Sequence, residues 1–501
     1  MIVRDYLEKQ SRERPTKAAI LFKEEKITFS DLNTLSNRVA NRLLNIGVKK
    51  GDRIVLLLQN SPEFVVAYFA ILKIGAIAVI LDFRLSPAEM EPIFQDADVS
   101  GLITHVRQKP FIDRVIRTVP TLQHIVVTGV EARDITNWHS YEEIIEKESS
   151  ENISIPLQEE DESLYLYTSG TTGKSKGVVL TNDHLTYFPE TLLHAVLMSE
   201  QDIYGLVLPM SHIAGPCILN LMVECGMTVS VIDEMKPKKI LDAVQSHRIT
   251  YISGPPSIYQ LILNIPNRER YDCSSLRAIS MMGTVVPEQL MKEVRERYPH
   301  LQTVQGYGAT ETSPLLTMTH LKDASRKMAS AGKAAPRVEL KITGQDGKEV
   351  EVGQVGEIIA RGPQIMKGYF KNPEATAKKI KDGWYHTGDL GRLDEDGYLY
   401  IVGRADDMVI SGGLNVYPSE VETVLLSHPK VQEAAAVGIP DAKRGQVVKA
   451  IVVLKDGEKA TRREILSFCK ERLSSFKMPR QLEIKDFLPK SSIGKIAKRQ
   501  L

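Results

Sequence analysis

The stretch YTSGTTGKSKGV, Tyr167 to Val178, carries the chemistry of a phosphate cradle. Thr168, Ser169, Thr171 and Thr172 supply hydroxyls, and Lys174 and Lys176 supply positive charge. Gly170, Gly173 and Gly177 let several backbone N–H groups converge on an anion. Gly173-Lys174-Ser175 has the letters that end a Walker A loop, a motif that also needs glycine five positions before its Gly-Lys pair. Position 168 is threonine, so the Walker spacing fails. Alone, the stretch reads equally well as a different polyphosphate loop or as a Gly/Ser/Thr surface turn.

The elements that would position it are legible. Leu164 to Thr168 reads as a strand, and helical pattern resumes only after Thr181. Asp31–Leu44 and Ile240–Val244 read as helices, Arg53–Leu58 and Ile249–Ile252 as strands. Such alternation argues for parallel sheets covered by helices. Over 337–402 the pattern changes to short strands (Glu339–Ile342, Gly356–Ala360, Tyr398–Val402) between Asp-Gly turns, the mark of an antiparallel or barrel-like section. Beyond Arg404 comes a compact α+β unit, with a helix over Pro418–Leu426, strands over Glu433–Val437 and Lys449–Leu454, and a helix over Thr461–Leu473. The expected fold is therefore α/β. A large N-terminal domain, residues 1–403, carries parallel sheets with helices plus the barrel-like section. A small α+β domain, residues 404–501, follows. The polar, basic tail LPKSSIGKIAKRQL reads as a mobile loop on composition.

The 501 residues are too many for one ordinary core. With 64 basic and 63 acidic residues the net charge is +1, which gives no reason to expect nucleic acid or an anionic membrane. Four cysteines form no CxxC pair, as in a cytoplasmic protein with reduced thiols. The N-terminal residues hold no apolar stretch of signal-peptide type. Phe64 to Leu81 is long enough to weigh as a membrane span, but Lys73 and Gly75 interrupt it. A buried helix ending near Gly75, then a buried strand from Ala76 to Leu81, is expected instead.

Together with GYGATETSP (306–314), GWYHTGDLGRLDEDGYLYIVGRADDMVISGGLNVYPSEVE (383–422) and PKSSIGKIAKRQL (489–501), the glycine-rich stretch closely resembles the acyl-adenylate-forming superfamily. That superfamily holds acyl-CoA synthetases, luciferases and peptide-synthetase adenylation domains. The resemblance spans almost the whole chain, with the motifs in family order. It implies an acid–thiol ligase: a carboxylate is joined to AMP with release of pyrophosphate, then a thiol attacks the acyl-adenylate. ATP, Mg²⁺ and coenzyme A are implied with it. Thr168, Ser169, Gly170, Thr171, Thr172, Gly173 and Lys176 would hold the β- and γ-phosphates. Gly306 and Gly308 flank Tyr307, which would lie against the adenine, and both glycines are read as opening space for a ligand. Thr310 would contact the α-phosphate, Glu311 would help hold Mg²⁺, Asp389 would accept from the ribose hydroxyls, and Arg404 would reach ribose or phosphate. Asp406 falls at the hinge on which the C-terminal domain rotates. Lys495 would enter for the first half-reaction; Ser411, Gly412 and Gly413 would replace it for the second and line the CoA tunnel. Ser175 stands where the family usually has proline.

The acyl end departs further from the pattern. Where amino-acid-activating relatives hold an aspartate, Leu208 to Gly215 contains no acid, so an uncharged acyl or aryl tail is expected. His212 matches a histidine common in CoA ligases, near the substrate carboxylate. Met281 and Met282, beside Gly283, replace small residues at the acyl pocket. The expected substrate is a medium- to long-chain fatty acid. An aryl acid, or a carrier protein in place of free CoA, is the alternative. The reading leaves an oligomer open.

Overall fold

The computed structural model describes residues 1–130, 138–169, 175–284, 286–441, 443–490 and 496–501, the side chains of Ser169 and Arg499 excepted. Within them the strands form four sheets. Two are mainly parallel, as expected, with antiparallel strands toward their edges. One has nine strands, with Ala278–Met282 and Gln302–Tyr307 side by side in parallel. The other has eight, and Ile77–Ile80 lies parallel to both Arg53–Leu57 and Glu162–Ser169. Strands such as Ile77–Ile80 and Thr228–Val231 are buried at every position, as strands covered on both faces must be.

The run from Phe64 to Leu81 is a helix and then a strand. Pro62–Lys73 is helical, begun by Ser61, whose side chain accepts from Phe64 N–H at 3.4 Å, and by proline at the first turn. Burial of Phe64, Phe69 and Ile71 contributes about 1.5–3 kcal/mol each. Lys73 is fully buried, with its Nζ 3.2 Å from Glu8 Oε1 on the first helix, Val3–Glu13. No helix among the described residues is long and apolar enough to cross a membrane.

The third sheet is antiparallel: Glu339–Thr343, Gly356–Arg361, Trp384–Leu393 and Ile380–Lys381, with Leu399–Arg404 paired to Trp384–Leu393. The ten-residue strand Trp384–Leu393, which carries Asp389, is absent from the sequence reading. The fourth sheet lies wholly beyond residue 408, with its own apolar clusters.

The tail departs from its composition. Leu488, Ile496 and Leu501 pack on Ala435, Ile451 and Val453. Lys490 and Ile496 form an antiparallel bridge, Ala497 N–H donates to the Pro489 carbonyl at 2.8 Å, and Lys498 pairs with Glu422 at 2.6 Å. Three apolar side chains spaced among the charges anchor its described ends, 488–490 and 496–501.

Candidate active site

The described ends of the phosphate stretch lie on two adjacent strands. Glu162–Ser169 pairs antiparallel with Ser175–Thr181, with Thr168 opposite Lys176 and Ser169 opposite Ser175. The sequence reading gave the first strand and the helix that follows, here His184–Ala195, but not the strand Ser175–Thr181 between them. Gly170, Thr171, Thr172 and Gly173 lie outside the described residues, as does Lys495. On the first of these strands the Tyr167 hydroxyl donates to Asp96 at 2.6 Å.

A short segment, 365–370, ties this strand pair to the next motif. Gly368–Tyr369 adds as a strand to Ser175–Thr181. Lys367 N–H donates to the Val179 carbonyl and Phe370 N–H to that of Gly177, at 3.1 and 2.8 Å. Met366 N–H donates to the Glu311 carbonyl at 2.9 Å. His184 fixes the near end. Its Nδ1 accepts from Thr181 N–H at 3.0 Å, so Nε2 carries the proton and donates to the Ile365 carbonyl at 2.7 Å. Burial holds His184 below the usual imidazole range. Tyr369 then places its ring under Lys176, Nζ 5.2 Å from the centroid, and its hydroxyl donates to Glu311 Oε1 at 2.9 Å.

Glu311 sits in the single turn Thr310–Thr312, directly after the strand Gln302–Tyr307. Thr312 is fully buried, and its Oγ1 accepts from Ala309 N–H at 2.9 Å. That pins the turn and leaves Thr310 and Glu311 half-buried on its outer side. The flanking glycines do not open ligand space as the sequence reading held. A Cβ on Gly308 would fall 1.8 Å from the Pro314 carbonyl oxygen, and one on Gly306 2.9 Å from the Met318 sulfur. They are small because the chain doubles back against them.

Tyr307 packs on the apolar cluster of the third sheet, and its hydroxyl donates to Asp389 Oδ2 at 2.7 Å. Burial, and secondarily the Asp389 charge, raise the phenol pKa well above its ordinary value, so the proton stays on the tyrosine. Arg404 lies opposite Asp389 in the strand pairing, its Nη1 3.6 Å from Asp389 Oδ1. Asp389 N–H donates to Thr387 Oγ1 at 3.0 Å, and that hydroxyl donates to the Ile358 carbonyl at 2.7 Å. Lys379 reaches in from the helix Pro373–Lys379 and donates to the His386 and Thr387 carbonyls at 3.0 and 3.1 Å. Its pKa is lowered, first by burial and then by Arg404.

His212 belongs to the turn before the helix Ala214–Cys225, and its Nδ1 accepts from Ala214 N–H at 3.3 Å. Buried Asn60 holds that turn. Its amide donates to the Leu208 and Ile232 carbonyls at 2.9 and 3.0 Å and accepts from Met210 N–H at 2.7 Å. Met281 and Met282 end the strand Ala278–Met282 on opposite faces. Met281 is fully buried in the main core, Met282 is half-buried opposite Gly306, and Gly283 is exposed.

Ser411 is buried beside Gly445, and Gly412-Gly413 form the turn of a hairpin between Val409–Ser411 and Leu414–Val416. Both glycines have positive φ, +61° and +82°, as a two-residue type I′ turn demands. The turn is exposed, with nothing within 4 Å of a Cβ at either position. Asp406 is exposed in the turn Ala405–Asp407, between a strand of the third sheet and one of the fourth.

The structure thus joins Lys176 and Glu311 through Tyr369, and Tyr307, Asp389 and Arg404 through direct contacts, the two groups following one another along the chain from Tyr307 to Glu311. Gly412-Gly413 stand apart from both groups. Tyr369, Lys379, Asn60 and His184 are additions that the sequence reading missed. Gly368-Tyr369 offers a weak signal, a glycine before a tyrosine as at 306–307. The other three carry none.

A model of the AMP-binding enzyme family matches residues 7–370, and one of the AMP-binding enzyme C-terminal domain matches residues 420–495. A long-chain-fatty-acid–CoA ligase of Bacillus subtilis is 33% identical over 97% of this chain and 91% of its own length. An indoleacetate–CoA ligase of Aromatoleum aromaticum is 34% identical over 99% and 97%. The O-succinylbenzoate coenzyme A synthetase of B. subtilis, solved with ATP and a magnesium ion, superposes with a TM-score of 0.86 at 32% identity, covering 99% of this chain and 98% of that one. The chain belongs to the acyl-adenylate-forming superfamily, among its acyl-CoA synthetases. It is an AMP-forming acid–thiol ligase whose substrates are a small-molecule carboxylic acid, ATP with Mg²⁺, and CoA.

Proposed function

We propose that the acid is a medium- to long-chain fatty acid, activated at the site built around Tyr307, Glu311 and Asp389. The substrate carboxylate oxygen attacks the α-phosphorus, the bond to the β-phosphate breaks, and pyrophosphate leaves. The CoA sulfur then attacks the acyl carbon, the bond to AMP breaks, and the thiol proton passes to solvent. Both steps depend on positioning and on charge stabilisation.

The observation that carries this reading is the Tyr307–Asp389 contact of 2.7 Å, with Arg404 alongside. It sets an aromatic ring and a carboxylate side by side, a pairing that suits a base and its ribose diol. Thr310 follows toward the α-phosphate. Thr168, Ser169, Gly170, Thr171, Thr172, Gly173 and Lys176 take the terminal phosphates. Among the described residues no three metal-ligating side chains cluster. The half-buried Glu311 carboxylate fits Mg²⁺ held by one protein oxygen, phosphate oxygens and water. Lys495 serves the first half-reaction and Ser411-Gly412-Gly413 the second, with residues 404–501 turning about Asp406 against residues 1–403.

For the acid, the support is a turn at 208–213 that carries His212 and no acidic residue, together with pliable Met282 at a strand end next to Gly306. An aryl acid is the second reading, favoured by the similarity to the indoleacetate ligase. A panel of carboxylic acids with ATP, Mg²⁺ and CoA, following AMP and thioester together, decides. Turnover that rises along the saturated fatty acids confirms the first reading, and turnover confined to aryl acids replaces it.

A further inference from the structure

Tyr369 has no part in the roles above, yet it touches two of their residues from opposite ends of one side chain. Its hydroxyl donates to Glu311 Oε1 at 2.9 Å, and its ring lies 5.2 Å from Lys176 Nζ. It is 7% exposed. The backbone leaves it little freedom. Tyr369 pairs with Val178, its N–H donates to Thr376 Oγ1 at 2.9 Å, and the neighbouring Phe370 N–H is bound to Gly177. The adjoining Met366 N–H holds the Glu311 carbonyl. Glu311 is therefore gripped at backbone and side chain by one segment, which also forms the outer strand of the sheet that carries Lys176.

We propose that Tyr369 is a positioning residue that aims the Glu311 carboxylate at Mg²⁺ through its hydroxyl and steadies Lys176 through its ring. This rests on the reading of Glu311 as the magnesium ligand. One carboxylate oxygen is held by the phenol, which orients the other toward the metal. A partner of this kind, outside the ligand itself, alters metal affinity by roughly 10- to 100-fold when removed. The ring contact is a separate attraction, because the face of a phenol draws a cation whether or not the hydroxyl is present.

The two contacts separate by substitution. Tyr369→Phe removes the hydroxyl and keeps the ring, whereas Tyr369→Leu removes both. The first readout is binding of Mn²⁺, followed by loss of its free-ion EPR signal, to enzyme saturated with α,β-methylene-ATP. The second is affinity for the same nucleotide in EDTA. Tyr369→Phe is expected to weaken Mn²⁺ binding about tenfold, leaving metal-free nucleotide affinity and melting temperature unchanged. Tyr369→Leu is expected to weaken both affinities. Wild-type Mn²⁺ affinity in a folded Tyr369→Phe enzyme overturns the proposal, as does an equal loss of metal-free nucleotide binding in that variant. Glu311→Gln serves as the control. If it too leaves Mn²⁺ affinity unchanged, the reading of Glu311 has failed. If it weakens Mn²⁺ binding while Tyr369→Phe does not, only the role of Tyr369 has failed.

Discussion

Lys73 interrupts an otherwise apolar run, and its environment makes a measurable prediction. The ammonium is fully buried at the end of the helix Pro62–Lys73, with Glu8 as its ion-pair partner at 3.2 Å. Burial, opposed only in part by Glu8, pushes its pKa from the ordinary 10.5 down to about 8. That displacement corresponds to about 3 kcal/mol against the charged form. Between pH 8 and 10.5 the unfolded chain keeps a proton that the folded chain has released, so this group makes stability rise with pH across that window. Below pH 8 both states are charged and the full penalty stands. The paired variant Glu8→Gln, Lys73→Met removes both charges and keeps a long apolar side chain, so it lacks that rise. Urea unfolding of both proteins at half-unit steps from pH 7 to 10.5 is the assay, because other titrating groups cancel in the difference. Wild type should gain about 3 kcal/mol on the variant between pH 8 and 10.5. Parallel curves, or a gain by the variant instead, would refute the desolvation argument.

Lys495→Ala should lower acid-dependent ATP–pyrophosphate exchange by roughly 10²–10³, the cost of one lost charge-stabilising group. Thioester formation from supplied acyl-AMP should persist, and equal loss in both assays would contradict the division between half-reactions. Met281 and Met282 should separate in the same way. Met281→Ala is expected to lower stability by about 2–5 kcal/mol through a core cavity and to leave chain-length preference unchanged. Met282→Ala is expected to extend the preferred acid, at about 0.8 kcal/mol per methylene newly buried, read from kcat/KM along a chain-length series.

What the sequence made legible follows a physical divide. Runs such as Ile77–Ile80 announce buried strands, and Thr28 with Asp31 closes a capping box on a helix, Phe29–Asn45, that runs two residues earlier and one later than the sequence reading had it. Ser175–Thr181 and Trp384–Leu393 were missed as strands because Ser175-Lys176-Gly177 opens the first and Gly388-Asp389 interrupts the second, and their pairing partners supply what their own pattern lacks. The tail shows the same effect, since its three apolar anchors carry no periodic signal. Within the site, residue types were legible and contacts were not. Tyr307 and Asp389 meet across 82 residues, Glu311 and Tyr369 across 58. Gly306 and Gly308 show the converse. Their smallness was visible, but only the fold reveals that backbone, and not a ligand, occupies the space beside them.

The placement of the two C-terminal motifs bears on how they could share one site. Val409, which leads into the Ser411-Gly412-Gly413 hairpin, lies in the same apolar cluster as Val448 and Val452. Ile496, which follows Lys495 directly, packs on Ile451 and Val453 of the same strand. The hairpin and Ile496 therefore both pack on Gly445–Leu454. Under the proposed alternation, turning the fourth sheet as a body carries the Gly412-Gly413 turn and Ile496 together. The exposure of that turn in this structure is what such coupling requires in a state where it is not engaged. Chain continuity between the third and fourth sheets runs only through the exposed turn around Asp406, with the Ser419 hydroxyl donating to the Val402 carbonyl beside it. A rotation there needs a few backbone torsions, and the apolar clusters of the fourth sheet draw only on residues beyond 408, whereas moving the Gly412-Gly413 hairpin alone would unpack Val409 and Val416 from that core.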